Sequence, residues 1–192
     1  MIKTDNFEKV EITHAQQLWD WLSKNHQQAE SIWLVTYKKH ITDKYVSRDE
    51  VLDELLCFGW IDGIRRKLDE DRTMQLISPR RVQHWAKSYK DRAARLIEDN
   101  RMQIAGYQSI EASKANGLWN FMDDVDALIQ PADLKQAFAE YSPAEANFSA
   151  FAPSTQRFIL RWIKLAKTAK TRANRIEKTA RLAQKGEKIP GS

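Results

Sequence analysis

The sequence has a single cysteine, few glycines and no long hydrophobic run. Cys57 alone cannot form an internal disulfide, and its position between Leu56 and Phe58 favours a packing role over a nucleophilic one. The six glycines are scattered, so the chain contains no P-loop, nucleophile elbow or dinucleotide-binding motif. No window approaches the length of a membrane span, and the first residues, MIKTDNFEKVEI, contain no apolar run typical of a signal peptide. We therefore expect a cytoplasmic protein without a membrane span.

The histidines also lack a metal-binding pattern. His14, His26, His40 and His84 show no metal-ligand spacing with one another or with Cys57. The sequence therefore predicts no metal and no cofactor. It favours a protein that is not an enzyme, although it leaves catalysis open.

The residues that are present support a folded core and a basic C-terminal end. Of the 192 residues, 42% are hydrophobic and 30% are charged. The formal charge of +5 is unevenly distributed, because the segment from Arg157 to Lys188 contains eleven Lys/Arg and two Asp/Glu, a local balance of +9. The rest of the chain therefore carries a charge of about −4.

The first third of the chain alternates between helix and strand patterns. Thr13 followed by Gln16 is typical of a capping box that opens a helix. The next segment, SIWLVTYKK, is rich in aromatic and β-branched residues and predicts a central strand. Ser47 with Glu50 predicts a second capping box and a second helix, for which a glycine, residue 59, supplies a left-handed end.

A β-hairpin is predicted after the second helix. Residues 60–68 and 73–78 have strand composition and flank the polar turn DEDR. Strand alternation places Trp60, Asp62 and Ile64 on one face, where the carboxylate is the exception among apolar side chains.

Asp62 raises the main question about function. In the register that the DEDR turn favours, it lies opposite Pro79 and close to Arg80 and Arg81. A buried carboxylate needs a partner, so we expect an ion pair with one arginine, whose loss in Asp62→Ala would cost about 3 to 5 kcal/mol. The alternative is a site at the open end of the hairpin where the second arginine binds an anionic or planar ligand. Its residues would be Tyr37, Lys38, Trp60, Asp62, Arg80, Arg81 and Trp85.

The remainder of the chain is predicted to be helical. Apolar residues recur at helical spacing around Ile110, Phe138 and Ile163. Ser142-Pro143-Ala144-Glu145 is typical of a helix start, with proline at the first position and glutamate closing a capping box. The predicted fold class is α+β, with a small antiparallel or mixed sheet and packed helices in α-β-α-β-β order, followed by a mostly helical C-terminal half.

The domain organisation follows from the same patterns. We expect the α-β-α-β-β module in residues 1–88, the helical half in residues 89–186 and a tail in residues 187–192. The two parts are expected to form one compact unit.

Two stripes of cations follow helical spacing in the basic C-terminal end. Such stripes are usually the solvated side of a helix, but a solvated side normally includes acids as well. Phosphate-bearing partners, nucleic acid first and anionic lipid second, are therefore the predicted alternatives, although no known nucleic-acid motif is present. The residues of the two stripes are Arg157, Arg161, Lys164, Lys178, Arg181 and Lys185.

Six unusual segments occur in order between about Trp33 and Gly186. They are YKK, LCFGWIDG, KLDEDR, SPRR with Trp85 behind it, NRMQIAG and TRANRI. Together they resemble the bacterial YdeI/OmpD-associated family, whose C-terminal part is named as a bacteriocin-protection domain. The resemblance implies a role in stress or bacteriocin tolerance, and it brings no established set of catalytic residues.

These observations lead to three ranked hypotheses. We interpret the chain first as a non-catalytic protein that binds an anionic small molecule or a protein partner. The second hypothesis is nucleic-acid binding without sequence preference through the basic C-terminal helices. The third is an enzyme that uses Asp62 with Arg80 and Arg81.

Overall fold

The computed structural model describes residues 6–81 and 83–192. This part of the chain combines a mixed sheet with helices, so the predicted α+β fold class and the mostly helical C-terminal half are confirmed. The chain divides into two compact units, Met1–Asn120 and Phe121–Ser192. Each unit has its own hydrophobic core.

A four-stranded sheet forms the centre of the first unit. Its strands are β1 (Lys9–Glu11), β2 (Ile32–Tyr37), β3 (Trp60–Lys67) and β4 (Arg72–Pro79). They lie in the order β1-β2-β4-β3, with β1 parallel to β2 and the other pairs antiparallel. β1 was not predicted, because three residues are too few for a strand pattern to stand out.

Four helices complete the first unit. They are α1 (Ala15–Asn25), α2 (Arg48–Cys57), α3 (Lys87–Glu98) and α4 (Ile104–Ala115). Their apolar side chains share one core with the sheet, because a helix with one apolar face must bury it against another element. The structure thus groups α3 and α4 with the sheet, whereas the boundary at residue 88 assigns them to the helical half.

The local signals around α2 are confirmed. Ser47 and Glu50 form the predicted capping box, in which the Ser47 Oγ accepts from the Glu50 amide and Glu50 Oε2 accepts from the Ser47 amide at 2.8 Å. Gly59 follows the helix with a φ of +69°, the left-handed conformation that favours glycine.

The predicted capping box of α1 is wrong by one residue. The N-cap of α1 is His14, which makes no side-chain capping bond. Instead, the Thr13 amide donates a hydrogen bond of 2.7 Å to the side chain of Gln17, not of Gln16. A backbone donor before the helix is therefore satisfied by a different glutamine.

α4 is a helix, as the apolar spacing around Ile110 predicted, but two of its other large apolar side chains face away from the core. Ile104 is 77% exposed and Tyr107 is also exposed, whereas Ile110 is buried. The reason is a close approach to α2 at Gly106, where an added Cβ would lie 2.5 Å from the Cys57 carbonyl oxygen. The side of α4 that faces the core is therefore the side that carries the glycine.

The register of the hairpin differs from the predicted one by one residue at the turn, where Lys67 lies opposite Thr73, and by one more at a bulge. Asp62 lies opposite Ile77 and Arg65 lies opposite Gln75, so β3 contains one extra residue between these two pairs. The prediction that Asp62 lies opposite Pro79 is therefore wrong. Because the extra residue reverses the alternation of the strand, Asp62 and Arg65 share one face of the sheet.

The second unit is helical. Its helices are α5 (Asp123–Asp126), α6 (Ala132–Glu140), α7 (Ala144–Ser149), α8 (Pro153–Lys164) and α9 (Ala169–Gln184). Their core includes Phe138, Phe148, Ile159, Ile163 and Ile176. These side chains recur at helical spacing, as the sequence predicted.

The capping box predicted at the start of α7 is wrong. The helix begins at Ala144, after Pro143, and has no side-chain capping bond from Ser142 or Glu145. The Ala144 amide donates to the Tyr141 carbonyl oxygen at 2.8 Å, so a backbone acceptor satisfies this first donor of the helix.

Candidate functional site

The seven residues predicted to form a ligand site lie at opposite ends of the sheet. Tyr37 is paired with Arg72, at the beginning of β4, whereas Trp60 is paired with Pro79, at its end. These two pairs are about 23 Å apart, because a strand rises about 3.3 Å per residue. Tyr37 and its neighbour Lys38 are therefore not at the open end of the hairpin, and the predicted cluster is wrong in this respect.

Both residues have partners close to the hairpin turn. The Tyr37 hydroxyl donates a hydrogen bond of 2.6 Å to Glu11, which raises the pKa of the phenol. The Lys38 ammonium donates to the carbonyl oxygens of Asp69 at 2.9 Å and Glu70 at 2.6 Å. The bond to Glu11 ties β2 to β1, and the bonds of Lys38 tie the end of β2 to the turn. Both side chains therefore have a structural role.

The Asp62 side chain is mostly buried, but it binds neither of the two predicted arginines. Its side chain is 9% exposed and accepts a hydrogen bond of 2.5 Å from the Tyr89 hydroxyl and one of 3.0 Å from the Gln75 amide group. The cation nearest to it is Arg48, at 3.7 Å, whose own side chain is 67% exposed. Burial and the bond to Asp62 raise the pKa of Tyr89 to about 12, so this phenol remains a donor.

These contacts lower the expected cost of removing the carboxylate. Asp62→Ala should destabilise the first unit by about 1 to 3 kcal/mol, because Tyr89 and Gln75 lose an acceptor while no buried guanidinium is left unpaired by the change. Chemical denaturation measures this value, and Arg48→Ala is the matched control with a small expected effect. A loss of about 3 to 5 kcal/mol would instead indicate a buried ion pair and contradict this assignment.

Arg80 lies at the open end of the hairpin and stacks on a tryptophan. Its guanidinium carbon is 3.8 Å from the centroid of the Trp85 ring, and its Nη2 donates to the His84 carbonyl oxygen at 3.0 Å. Trp85 is itself buried and fixed by a hydrogen bond of 2.8 Å to Ser113. The stack is therefore held by the core of the first unit.

Two donors of Arg80 remain unused. Its Nε and Nη1 atoms are buried and have no hydrogen-bond acceptor within residues 6–81 and 83–192. Burial lowers the pKa of Arg80 to about 10. A guanidinium at this depth is costly unless an acceptor completes its bonds, so the side chain is suited to an anionic ligand.

The other residues of the predicted site are occupied by their own chain. Trp60 is buried and donates to the His26 carbonyl oxygen at 2.9 Å. Arg81 donates to the Ala29 carbonyl oxygen at 2.7 Å. Four side chains remain at the open end of the hairpin: Asp62, Tyr89, Arg80 and Trp85. We call them the Arg80 cluster. In it the Arg80 guanidinium lies 5.6 Å from the centroid of the Tyr89 ring.

A cluster of charged side chains around two buried acids of α2 was not identified from the sequence. Asp53 accepts hydrogen bonds from Arg92 at 2.5 Å and Arg95 at 2.8 Å, while Glu54 accepts one from Arg101 at 2.8 Å. Both acids are buried, and burial raises the pKa of Glu54. The pair Asp-Glu inside the apolar stretch VLDELL was the available sign that α2 buries charge. We call these five residues the α2 ion cluster.

Cys57 is a packing residue. It is buried, and burial raises the pKa of its thiol to about 12, so it is protonated at neutral pH. Among the residues that the structure describes, no three His, Cys, Asp or Glu side chains lie close enough together to hold a metal ion. In the same part of the chain, no helix has the length and apolar character needed to cross a membrane.

In the second unit, α8 and α9 expose cations. On α8 the core side is formed by residues such as Ile159 and Ile163, while Arg161 is exposed and Arg157 is half-buried. On α9 the core side includes Ile176 and Ala180. The opposite side of α9 carries three exposed cations, Lys170, Lys178 and Arg181, and the exposed Lys185 follows the helix as its C-cap. The predicted helical spacing of the two basic stripes is thus present in the structure.

The predicted cations differ in their partners. Lys164 forms an ion pair of 2.5 Å with Asp124, and Arg181 forms one of 2.8 Å with Glu177. The other four, Arg157, Arg161, Lys178 and Lys185, form no ion pair within the described residues. Lys178, Arg181 and Lys185 line one shallow groove of about 380 Å³.

Trp162 lies beside the basic surface on α8. It is half-buried, and the Arg175 guanidinium lies 4.9 Å from the centroid of its ring. Arg175 also donates a hydrogen bond to the Trp162 carbonyl oxygen. This arginine therefore joins α9 to α8 and is not available to an external partner.

Two family models match the chain. Residues 10–109 match a domain of unknown function, DUF8412, and residues 127–186 match a family described as Bacteriocin-protection, YdeI or OmpD-Associated. No curated protein and no solved structure shows a significant match. The first match contains the Arg80 cluster and the α2 ion cluster, and the second contains α6 to α9 with their basic surface.

Proposed function

We propose that this chain is a non-catalytic binding protein whose basic surface on α8 and α9 binds phosphate-bearing polymers, nucleic acid first. The chain belongs to the family of the domain of unknown function DUF8412, whose model matches residues 10–109, and its residues 127–186 match the bacteriocin-protection, YdeI or OmpD-associated family. A role in stress or bacteriocin tolerance and a location in the cytoplasm are part of this proposal. Neither depends on a catalytic residue.

The observation that carries the proposal is the excess of cations over acids on two consecutive helices, α8 and α9. The outward side of α9 runs from Lys170 to Lys185, about 22 Å at 1.5 Å per residue, and its acid, Glu177, is paired with Arg181. A merely solvated helix side normally alternates acids and bases, because single-sign rows repel themselves. A partner with regularly spaced negative charges removes this repulsion.

The side chains of the basic surface on α8 and α9 determine which features of a nucleic acid it can recognise. Lysines are point charges that contact phosphates, so binding should not depend on base sequence. Phe158 is exposed on α8, one turn from the exposed Arg161, and an exposed aromatic ring is a place for an unpaired base to stack. Both single-stranded and duplex nucleic acid are therefore suitable probes.

Salt dependence tests the proposal directly. The purified chain should bind mixed-sequence oligonucleotides with a slope of log affinity against log salt on the order of −4 to −5, because each of four to six phosphate contacts contributes about −0.9. The double variant Lys178→Gln/Lys185→Gln should flatten this slope by roughly 2. Fluorescence anisotropy at several salt concentrations measures both values.

A matched control separates a local surface from overall charge. Lys24→Gln/Lys39→Gln removes the same charge from exposed positions of the first unit and should leave the slope unchanged. The proposal fails if no oligonucleotide binds at low salt, or if the two double variants change the slope equally.

A second candidate function is the binding of a small anion at the Arg80 cluster. The observation that favours it is the pair of buried, unpartnered donors on Arg80, next to a fixed aromatic ring. A carboxylate or phosphate would supply the missing acceptors, and a planar ligand could lie against the same aromatic side chains. Catalysis by Asp62 with Arg80 and Arg81 is not proposed, because Asp62 contacts neither arginine.

A further inference from the structure

A groove between α6 and α9 is not used by either proposal above. Its volume is about 500 Å³, within the range of small-molecule sites in proteins. It lies on a different side of α9 from the row of cations, since only Glu177 is common to it and the shallow basic groove. The residues considered below are those of its apolar floor and its charged rim.

The floor of the groove is apolar and made of small side chains. Ala137 of α6 faces Ala173 and Ile176 of α9 across it. Alanines leave room between two packed helices that larger side chains would fill, so the space can take the apolar part of a ligand.

The rim of the groove carries negative charge that is not neutralised locally. Asp133 is neutralised by Arg172, which donates to it at 2.7 and 2.9 Å and lowers the pKa of its carboxyl. Glu140, on the other hand, forms no hydrogen bond or ion pair within residues 6–81 and 83–192. Glu177, on the same rim, is paired with Arg181 at 2.8 Å. Glu140 therefore leaves one negative charge of the groove without a local partner, in a unit whose exposed helix sides are basic.

One end of the groove already accommodates a cation from the chain itself. The Arg181 guanidinium bonds to Glu177 at 2.8 Å and lies 5.5 Å from the centroid of the Tyr141 ring. A carboxylate and an aromatic ring at this spacing form a cation site, because the face of the ring is electron-rich. Glu140, the residue before Tyr141, extends the same chemistry into the groove.

We propose that the groove between α6 and α9 binds a small amphipathic cation, an amine or guanidinium attached to an apolar chain or ring. The apolar part packs on Ala137, Ala173 and Ile176, and the positive group pairs with Glu140 beside Tyr141. The volume limits the ligand to the size of a small molecule, since a helix or folded partner would need a larger surface.

The experiment compares three probes of one shape on the full chain. The probes are 4-phenylbutylamine, 4-phenylbutanol and 4-phenylbutyrate, and binding is followed by the NMR shifts of alanine and isoleucine methyl groups. The amine should bind more tightly than the alcohol by about threefold to fivefold, and the carboxylate should bind least. The affinity of the amine should fall as the salt concentration is raised. The shifts should centre on Ala137, Ala173 and Ile176.

Three variants decide the assignment. Ala173→Leu should abolish binding by filling the floor, and Glu140→Gln should reduce the preference for the amine to near that for the alcohol. Glu145→Gln, an exposed acid of α7 that does not line the groove, is the matched control and should change nothing. Equal binding of amine and alcohol, shifts centred elsewhere, or full binding by Ala173→Leu would each overturn the proposal, independently of any result with nucleic acid.

Discussion

Asp53→Ala is expected to destabilise the first unit by about 3 to 5 kcal/mol. The Asp53 side chain is 12% exposed and is the shared acceptor of Arg92 and Arg95, with Arg101 at 3.7 Å. Removing it takes the close acceptor from Arg95 and one of the two carboxylates from Arg92, which keeps Asp49 at 2.5 Å. The cost exceeds that of a surface pair, because the partly buried Arg92 has already lost much of its hydration.

Denaturant unfolding followed by tryptophan emission measures this change. Asp99→Ala is the matched control, since Asp99 also pairs with Arg95 but at 3.7 Å and with both side chains half exposed. It should cost less than about 1 kcal/mol. Similar losses for the two variants would mean that the α2 ion cluster is no stronger than an ordinary surface network.

Arg80→Met is expected to raise the free energy of unfolding by about 1 to 3 kcal/mol. Methionine has a similar length and can keep the apolar contact with the Trp85 ring. It also removes the two buried donors that have no acceptor in the described part of the chain. A residue that lowers stability in this way is typical of a binding site, where function and stability compete.

The same variant tests anion binding at the Arg80 cluster. Phosphate and benzoate are the probes, and a ligand at a hundred times its dissociation constant should stabilise the wild-type chain by about 2.7 kcal/mol. Arg80→Met should lose this response, whereas Arg81→Met should keep it, because Arg81 is exposed and bound to the Ala29 carbonyl. If Arg80→Met is destabilised and neither probe stabilises the wild-type chain, Arg80 is structural and the second candidate function is excluded.

The parts of the fold that sequence predicts well are those determined by neighbouring residues. The capping box at Ser47 and the left-handed Gly59 depend on three or four consecutive positions, so the start and end of α2 could be deduced. The outward row from Lys170 to Lys185 follows from helical periodicity alone. These features need no knowledge of which elements pack together.

The candidate site was harder to predict because its contacts are distant in sequence. Tyr89 reaches Asp62 from α3, 27 positions further along the chain. A single extra residue in β3 also exposes Ile64 and turns Arg65 toward Gln75, which reverses the face assigned to half of the strand. Strand pairing decides where a bulge occurs, and a single sequence does not show that pairing. Arg80 and Trp85 were identified from the sequence, but Tyr89 was not.

Trp162 gives the second unit an optical label of its own. The other six tryptophans of the chain precede Phe121, so the emission of the whole protein is dominated by the first unit. In Trp162→Phe the remaining fluorescence belongs to the first unit alone, and the difference from the wild-type signal reports the second. Because the charged guanidinium of Arg175 covers the Trp162 ring, separation of α8 from α9 should change the wavelength of that difference signal. The melting of each unit can thus be followed separately in the intact chain.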